Sequence, residues 1–128
     1  MIREHSFPDE TYQVGIDFDG VIHKNSKGFY DGTVYDEPVE GVYDALKKLS
    51  EKYQIIIFSA KARKDRMLIN NKTGDELIWD WLKKYKLDCF ITSVTSEKPR
   101  AVFYVDDKSF RFESWKNCMK DLMSHEFI

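Results

Sequence analysis

Gly15-Ile16-Asp17-Phe18-Asp19-Gly20 closes the first strongly patterned stretch of the chain, and the fold is read outward from it. From Tyr12 to Phe18, Val14, Ile16 and Phe18 alternate with smaller or polar residues; then two carboxylates and a glycine stop the run. Alternation of this kind predicts a buried strand with Asp17 at its C-terminal end. Gly20 supplies the backbone freedom for a sharp departure from the strand.

Residues 20 to 37 carry three glycines and several aromatics without a helical period. They read as a long loop, with room for a short hairpin around Phe29 to Tyr35. Loops of this length in compact domains are often functional. Pro38 is placed to open a helix, with Val39, Val42, Leu46 and Leu49 as its apolar stripe. Ile55-Ile56-Ile57-Phe58 is a continuous apolar run, the mark of a strand covered on both faces, and Ser59 ends it. Thr73-Gly74-Asp75-Glu76 fits a capping box ahead of a helix whose face is Leu77, Ile78, Trp81, Leu82 and Tyr85. Cys89 to Thr92 reads as a third strand and Ala101 to Val105 as a fourth, ending on Asp106-Asp107. Phe112, Trp115, Met119 and Leu122 give the tail, from about Ser109 to Met123, helical spacing. This order of elements is an α/β plan with a mostly parallel sheet. In such sheets ligands bind along the edge formed by the strand C-termini.

Polar groups fall at three of those strand ends: Asp17 and Asp19, then Ser59, then Asp106 and Asp107, with Lys98 just ahead of the fourth strand. Four carboxylates on one edge repel unless a cation neutralises them, and a hard divalent ion with few protein ligands, such as magnesium, suits the count. A carboxylate can attack phosphorus, given a metal and an acid for the leaving group. Asp19, two residues after Asp17 and so on the same side of an extended chain, is placed to be that acid. A lone Asp-x-Asp is weak evidence, and it is the ordered set that gives it weight.

These residues resemble the motifs of the haloacid-dehalogenase-like phosphatases. Asp17-Phe18-Asp19-Gly20-Val21 is similar to the first motif, Ile57-Phe58-Ser59 to the second, Lys98 to the third and Val105-Asp106-Asp107 to the fourth, over roughly residues 12 to 110. The resemblance implies a Rossmann-like three-layer α/β/α sandwich with no cap domain. It implies Asp17 as nucleophile, Asp19 as general acid/base, and Ser59 and Lys98 as phosphate ligands. Magnesium would be held by Asp17, the main-chain carbonyl of Asp19, and Asp106. Asp107 would bind the metal through water or orient Lys98. The substrate would be a phosphomonoester: a nucleotide, a nucleic-acid end or a small phosphorylated metabolite. Capless relatives also shield open sites by forming homo-oligomers. The competing reading is a phospho-accepting receiver module or a silent magnesium-binding module. Receivers carry the accepting Asp after their third strand and the lysine last, an order this chain does not follow.

Length and composition bound the rest. The chain has 128 residues, 42% hydrophobic, with a net charge of −2, which suits one domain and gives no general attraction to nucleic acid or membrane. No apolar run has transmembrane length and the N-terminus lacks a signal-peptide core, so a cytoplasmic protein is expected. Cys89 and Cys118 stand in no zinc-ligand pattern and read as reduced, partly buried thiols. Lys61, Arg63, Lys64 and Arg66 form a basic loop near the site mouth, equally a solvated face or an anion-binding one. His23 reads as an exposed loop histidine, and Trp79, Trp81 and Trp115 as packing residues.

Overall fold

The computed structural model describes residues 12–106 and 110–128. It is an α/β structure whose strands are all parallel. The strands are β1 (Gln13–Asp17), β2 (Gln54–Phe58), β3 (Ser93–Thr95), β4 (Phe103–Asp106) and β5 (Phe110–Arg111). The helices are α1 (Val42–Ser50), α2 (Gly74–Lys84) and α3 (Trp115–Ser124). The sheet order is β3-β2-β1-β4-β5, the order of Rossmann-like doubly wound sheets. Strands leave β1 toward β2 and β3 on one side, then restart at β4 on the other. Strand order therefore reverses between β1 and β4, the point at which such sheets bind ligands.

Burial explains this placement. Val14, Gly15 and Ile16 of β1 and Ile55, Ile56 and Ile57 of β2 are all buried, as central parallel strands require. Gly15 is a glycine for contact reasons: a Cβ there would stand 2.7 Å from Cδ1 of Tyr104 on the neighbouring strand. Thr73 caps α2 with the reciprocal capping box that its sequence announces, and Ile78, Trp81 and Leu82 face the core. Among the described residues no helix is long and apolar enough to cross a membrane.

Several elements differ from the sequence reading. Pro38 does not open α1. It sits in an antiparallel bridge with His23, and Val39 N–H donates to the Ile22 carbonyl at 2.8 Å, so the chain stays extended, as proline favours. The helix starts after Gly41, whose φ of 84° turns the chain into it. Cys89 to Thr92 is not a strand: Asp88–Phe90 is a 3-10 turn and the strand follows at Ser93. Residues 29 to 35 form turns rather than a hairpin, and Phe110–Arg111 adds a short strand where a helix was expected. Cys118 is buried, which, with Asp121 adding to it, pushes its thiol up to about 12, whereas Cys89 is exposed.

Candidate active site

Asp17 ends β1, half-buried, and Asp106 ends β4, buried. Ile16 pairs with Val105 across these strands, so the two aspartates come one residue later on adjacent strand ends. Lys98 Nζ lies 2.6 Å from Asp106 Oδ2, and the lysine stem stays partly open to solvent. Asp107 lies outside the described residues.

The chain folds back immediately after β1. Main-chain N–H groups of Val21, Ile22 and His23 all donate to the Phe18 carbonyl, and Gly20 takes a φ of 85°. The turn returns His23 to the side of Asp19, with Nδ1 3.0 Å from Asp19 Oδ1. His23 is fully buried, stacked on Phe18 and edge-on to Trp81, so the expectation of an exposed histidine is overturned. Its Nε2 accepts from the Asp36 main-chain N–H at 2.9 Å. An amide N–H can only donate, so the ring's proton sits on Nδ1 and points to Asp19.

Ser59 follows β2 and serves two purposes. It caps the 3-10 turn Ala60–Ala62 by accepting from Lys61 N–H at 3.1 Å, and its hydroxyl donates to Asp19 Oδ2 at 3.3 Å. The capping turn carries Lys61 inward. Lys61 is fully buried and its ammonium lies 2.8 Å from Asp19 Oδ1 and 3.4 Å from Asn25 Oδ1. The basic loop is thus not uniform: Lys61 belongs to the interior, while Arg63 and Lys64 are exposed. Asp19 receives three donors. Burial alone would push its carboxyl up, but hydrogen bonds from His23 and Lys61, with the charge of Lys61, outweigh it and hold the carboxyl below its ordinary value.

The structure therefore brings Asp19 and Ser59 together, and Lys98 and Asp106 together, with Asp17 on the strand between Ser59 and Asp106. Sequence reasoning missed Lys61 and His23 as site residues. The signals were faint: a lysine two residues after a strand-ending serine, and a histidine directly behind the apolar pair Val21-Ile22. Comparison of the chain with protein-family models, curated proteins and solved structures finds no match.

Two tryptophans fasten the ends of the long loop over this site. Trp115 Nε1 donates to the Val21 carbonyl and Trp81 Nε1 to the Asp36 carbonyl, each at 2.8 Å. Within the loop, Asp36 accepts from the hydroxyl and main-chain N–H of Ser26, which lowers its carboxyl to about 2. A depressed carboxyl stabilises above its unfolded value, about 3.9, and that contribution is lost as pH falls through the folded value. The Ser26 amide is therefore expected to stay protected from hydrogen exchange at pH 4 and to lose protection toward pH 2. Amide exchange by NMR checks it.

Gly74, the first residue of α2, fixes Lys61 from the other side. A Cβ at Gly74 would lie 1.5 Å from the Lys61 carbonyl oxygen, which also accepts from Arg66 at 2.7 Å. Main chain cannot yield as a side chain can. Gly74→Ala is expected to destabilise by about 2–3 kcal/mol, read as a lower denaturant midpoint with unchanged slope.

Proposed function

We propose that the chain is a magnesium-dependent phosphomonoester hydrolase that works through an aspartyl phosphate on Asp17, on a capless, three-layer fold of the haloacid-dehalogenase-like kind. The observation that carries the reading is the position of Asp17 and Asp106 on adjacent strand ends at the point where strand order reverses. Ser59 and Lys98 border that point. The 3-2-1-4-5 order also disfavours a receiver module, whose sheet runs 2-1-3-4-5.

The oxygen set suits magnesium. Among the described residues no three His, Cys, Asp or Glu side chains converge on one point. Two carboxylates, Asp17 and Asp106, and the Asp19 carbonyl would make a short, hard-oxygen set of the kind magnesium accepts while keeping several waters. Bound there, the metal would screen the repulsion between the Asp17 carboxylate and the phosphate.

In the first step an Asp17 oxygen forms a bond to phosphorus, and the ester oxygen leaves with a proton from Asp19. In the second, water attacks the same phosphorus, Asp19 takes the water's proton, and phosphate leaves Asp17. Lys98 and the Ser59 hydroxyl offset the charge on the phosphate oxygens. The carboxylate form of Asp19, which its three donors favour, is the one the second step uses. As donor in the first step it must take up a proton against the pull of His23 and Lys61. The test is hydrolysis of a generic aryl phosphate by the purified chain, with magnesium and with chelator. Turnover that needs magnesium is the expected result; no turnover across a panel of phosphomonoesters overturns the reading.

A further inference from the structure

The mouth of the site carries a rim that the proposed chemistry does not use. Phe29 and Tyr30 are adjacent aromatics with 51% and 62% of their surface exposed. Tyr30 is held at a φ of 51°, a left-handed conformation that a bulky side chain adopts only where its surroundings impose it. The constraint comes from the loop itself. Gly32 N–H donates to the Phe29 carbonyl at 2.8 Å, and the Tyr35 hydroxyl accepts from Lys27 N–H and donates to the Gly28 carbonyl. Strain of this kind concentrates at binding and catalytic sites. A second loop meets the first where Arg66 Nη2 reaches the Gly32 carbonyl at 3.4 Å, and it exposes Met67 and Leu68.

Cations attend the rings. Lys27 Nζ lies 4.7 Å from the Tyr30 ring centre and Arg66 4.9 Å from that of Phe29. Lys61 Nζ links rim and site, 6.0 Å from the Phe29 ring centre and 2.8 Å from Asp19. The rim thus suits a ligand with a flat π-face and negative charge. We infer that Phe29 and Tyr30 stack the base of a nucleoside phosphate whose phosphate lies at Asp17, which names the substrate class of the hydrolase proposed above and rests on that reading.

Base stacking on aromatic side chains favours a nucleotide over its base-free analogue by about tenfold to a hundredfold. The test compares kcat/KM for uridine 5′-monophosphate, ribose 5-phosphate and phosphotyrosine. The nucleotide is expected to lead by that factor. Phe29→Leu, which keeps bulk but not the π-face, and Tyr30→Gly, which suits the positive φ, should each shrink the ratio of nucleotide to ribose 5-phosphate severalfold. Phe29→Trp should keep it. Equal rates for nucleotide and ribose 5-phosphate, a preference for phosphotyrosine, or a ratio unmoved by both variants overturns the inference. A 5′-phosphorylated oligothymidylate identifies the source of the base. A gain over the mononucleotide that fades steeply with salt marks a strand end, and parity marks a free nucleotide.

Titrating Asp17→Asn with the same nucleotide and with ribose 5-phosphate, by calorimetry, separates the two readings. Tighter nucleotide binding without wild-type turnover leaves the rim standing and removes the hydrolase. Turnover without discrimination does the reverse.

Discussion

In Asp17→Asn, magnesium-dependent hydrolysis of an aryl phosphate is expected to fall by about 10⁴-fold or more, the scale seen when a covalent nucleophile is removed. The amide matches the carboxylate in size and the position is only half-buried at the end of β1, so the sheet has no packing reason to change. What changes is chemistry. A neutral amide oxygen is a poor nucleophile toward phosphorus, and the strand end loses one of the two carboxylates proposed to hold magnesium. The thermal midpoint should change little, because the amide keeps the size of the carboxylate at a half-buried strand end. Parallel melts and rate measurements check both halves, and the acid-quenched wild-type chain should retain labelled phosphate that the variant does not. Full activity in Asp17→Asn would remove Asp17 as nucleophile.

How far the sequence carries this site depends on the kind of residue. Asp17, Ser59 and Asp106 were legible because each closes an apolar run, and a polar residue ending a buried parallel strand has one place to be: the C-terminal edge. The capping box at Thr73 was legible for a similar local reason. Lys61 and His23 were not. Their burial is decided by partners 42 and 13 residues away, Asp19 and Asp36, which no periodicity encodes. A lysine within a basic run and a histidine in a loop look the same whether or not the fold encloses them. The third strand was misplaced for the opposite reason. Phe90 and Ile91 carry the apolar signal but pack from a 3-10 turn, while the edge strand Ser93-Val94-Thr95 is only partly buried and leaves no pattern. Pro38 misled because its fixed φ suits an extended bridge as well as a helix start.

Lys61→Met should show how much of the site rests on one enclosed charge. Methionine keeps the length and apolar stem of lysine and removes the ammonium. Losing one partner of a buried pair costs about 3–5 kcal/mol; with Asp19 partly open and still bonded to His23 and Ser59, about 2 kcal/mol is the expected loss near neutral pH. The pH dependence identifies the cause. In the wild type the Asp19 carboxyl is depressed, so its stabilising contribution is present above the ordinary carboxylate range and is lost as pH falls through the folded value. Without Lys61 the burial effect, which is the largest single influence on Asp19, gains on the remaining donors and the carboxyl moves up. The variant then loses less than the wild type on acidification, and the gap between their melting temperatures narrows from pH 7 to pH 4. A gap that does not change with pH would mean that Lys61 acts through packing rather than charge, and Lys61→Arg, which keeps the charge with altered shape, should then fare no better than Lys61→Met. Turnover should fall about a hundredfold in Lys61→Met, because Asp19 loses one of the two donors that hold Oδ1 and with it the contact that sets Oδ2 beside Ser59.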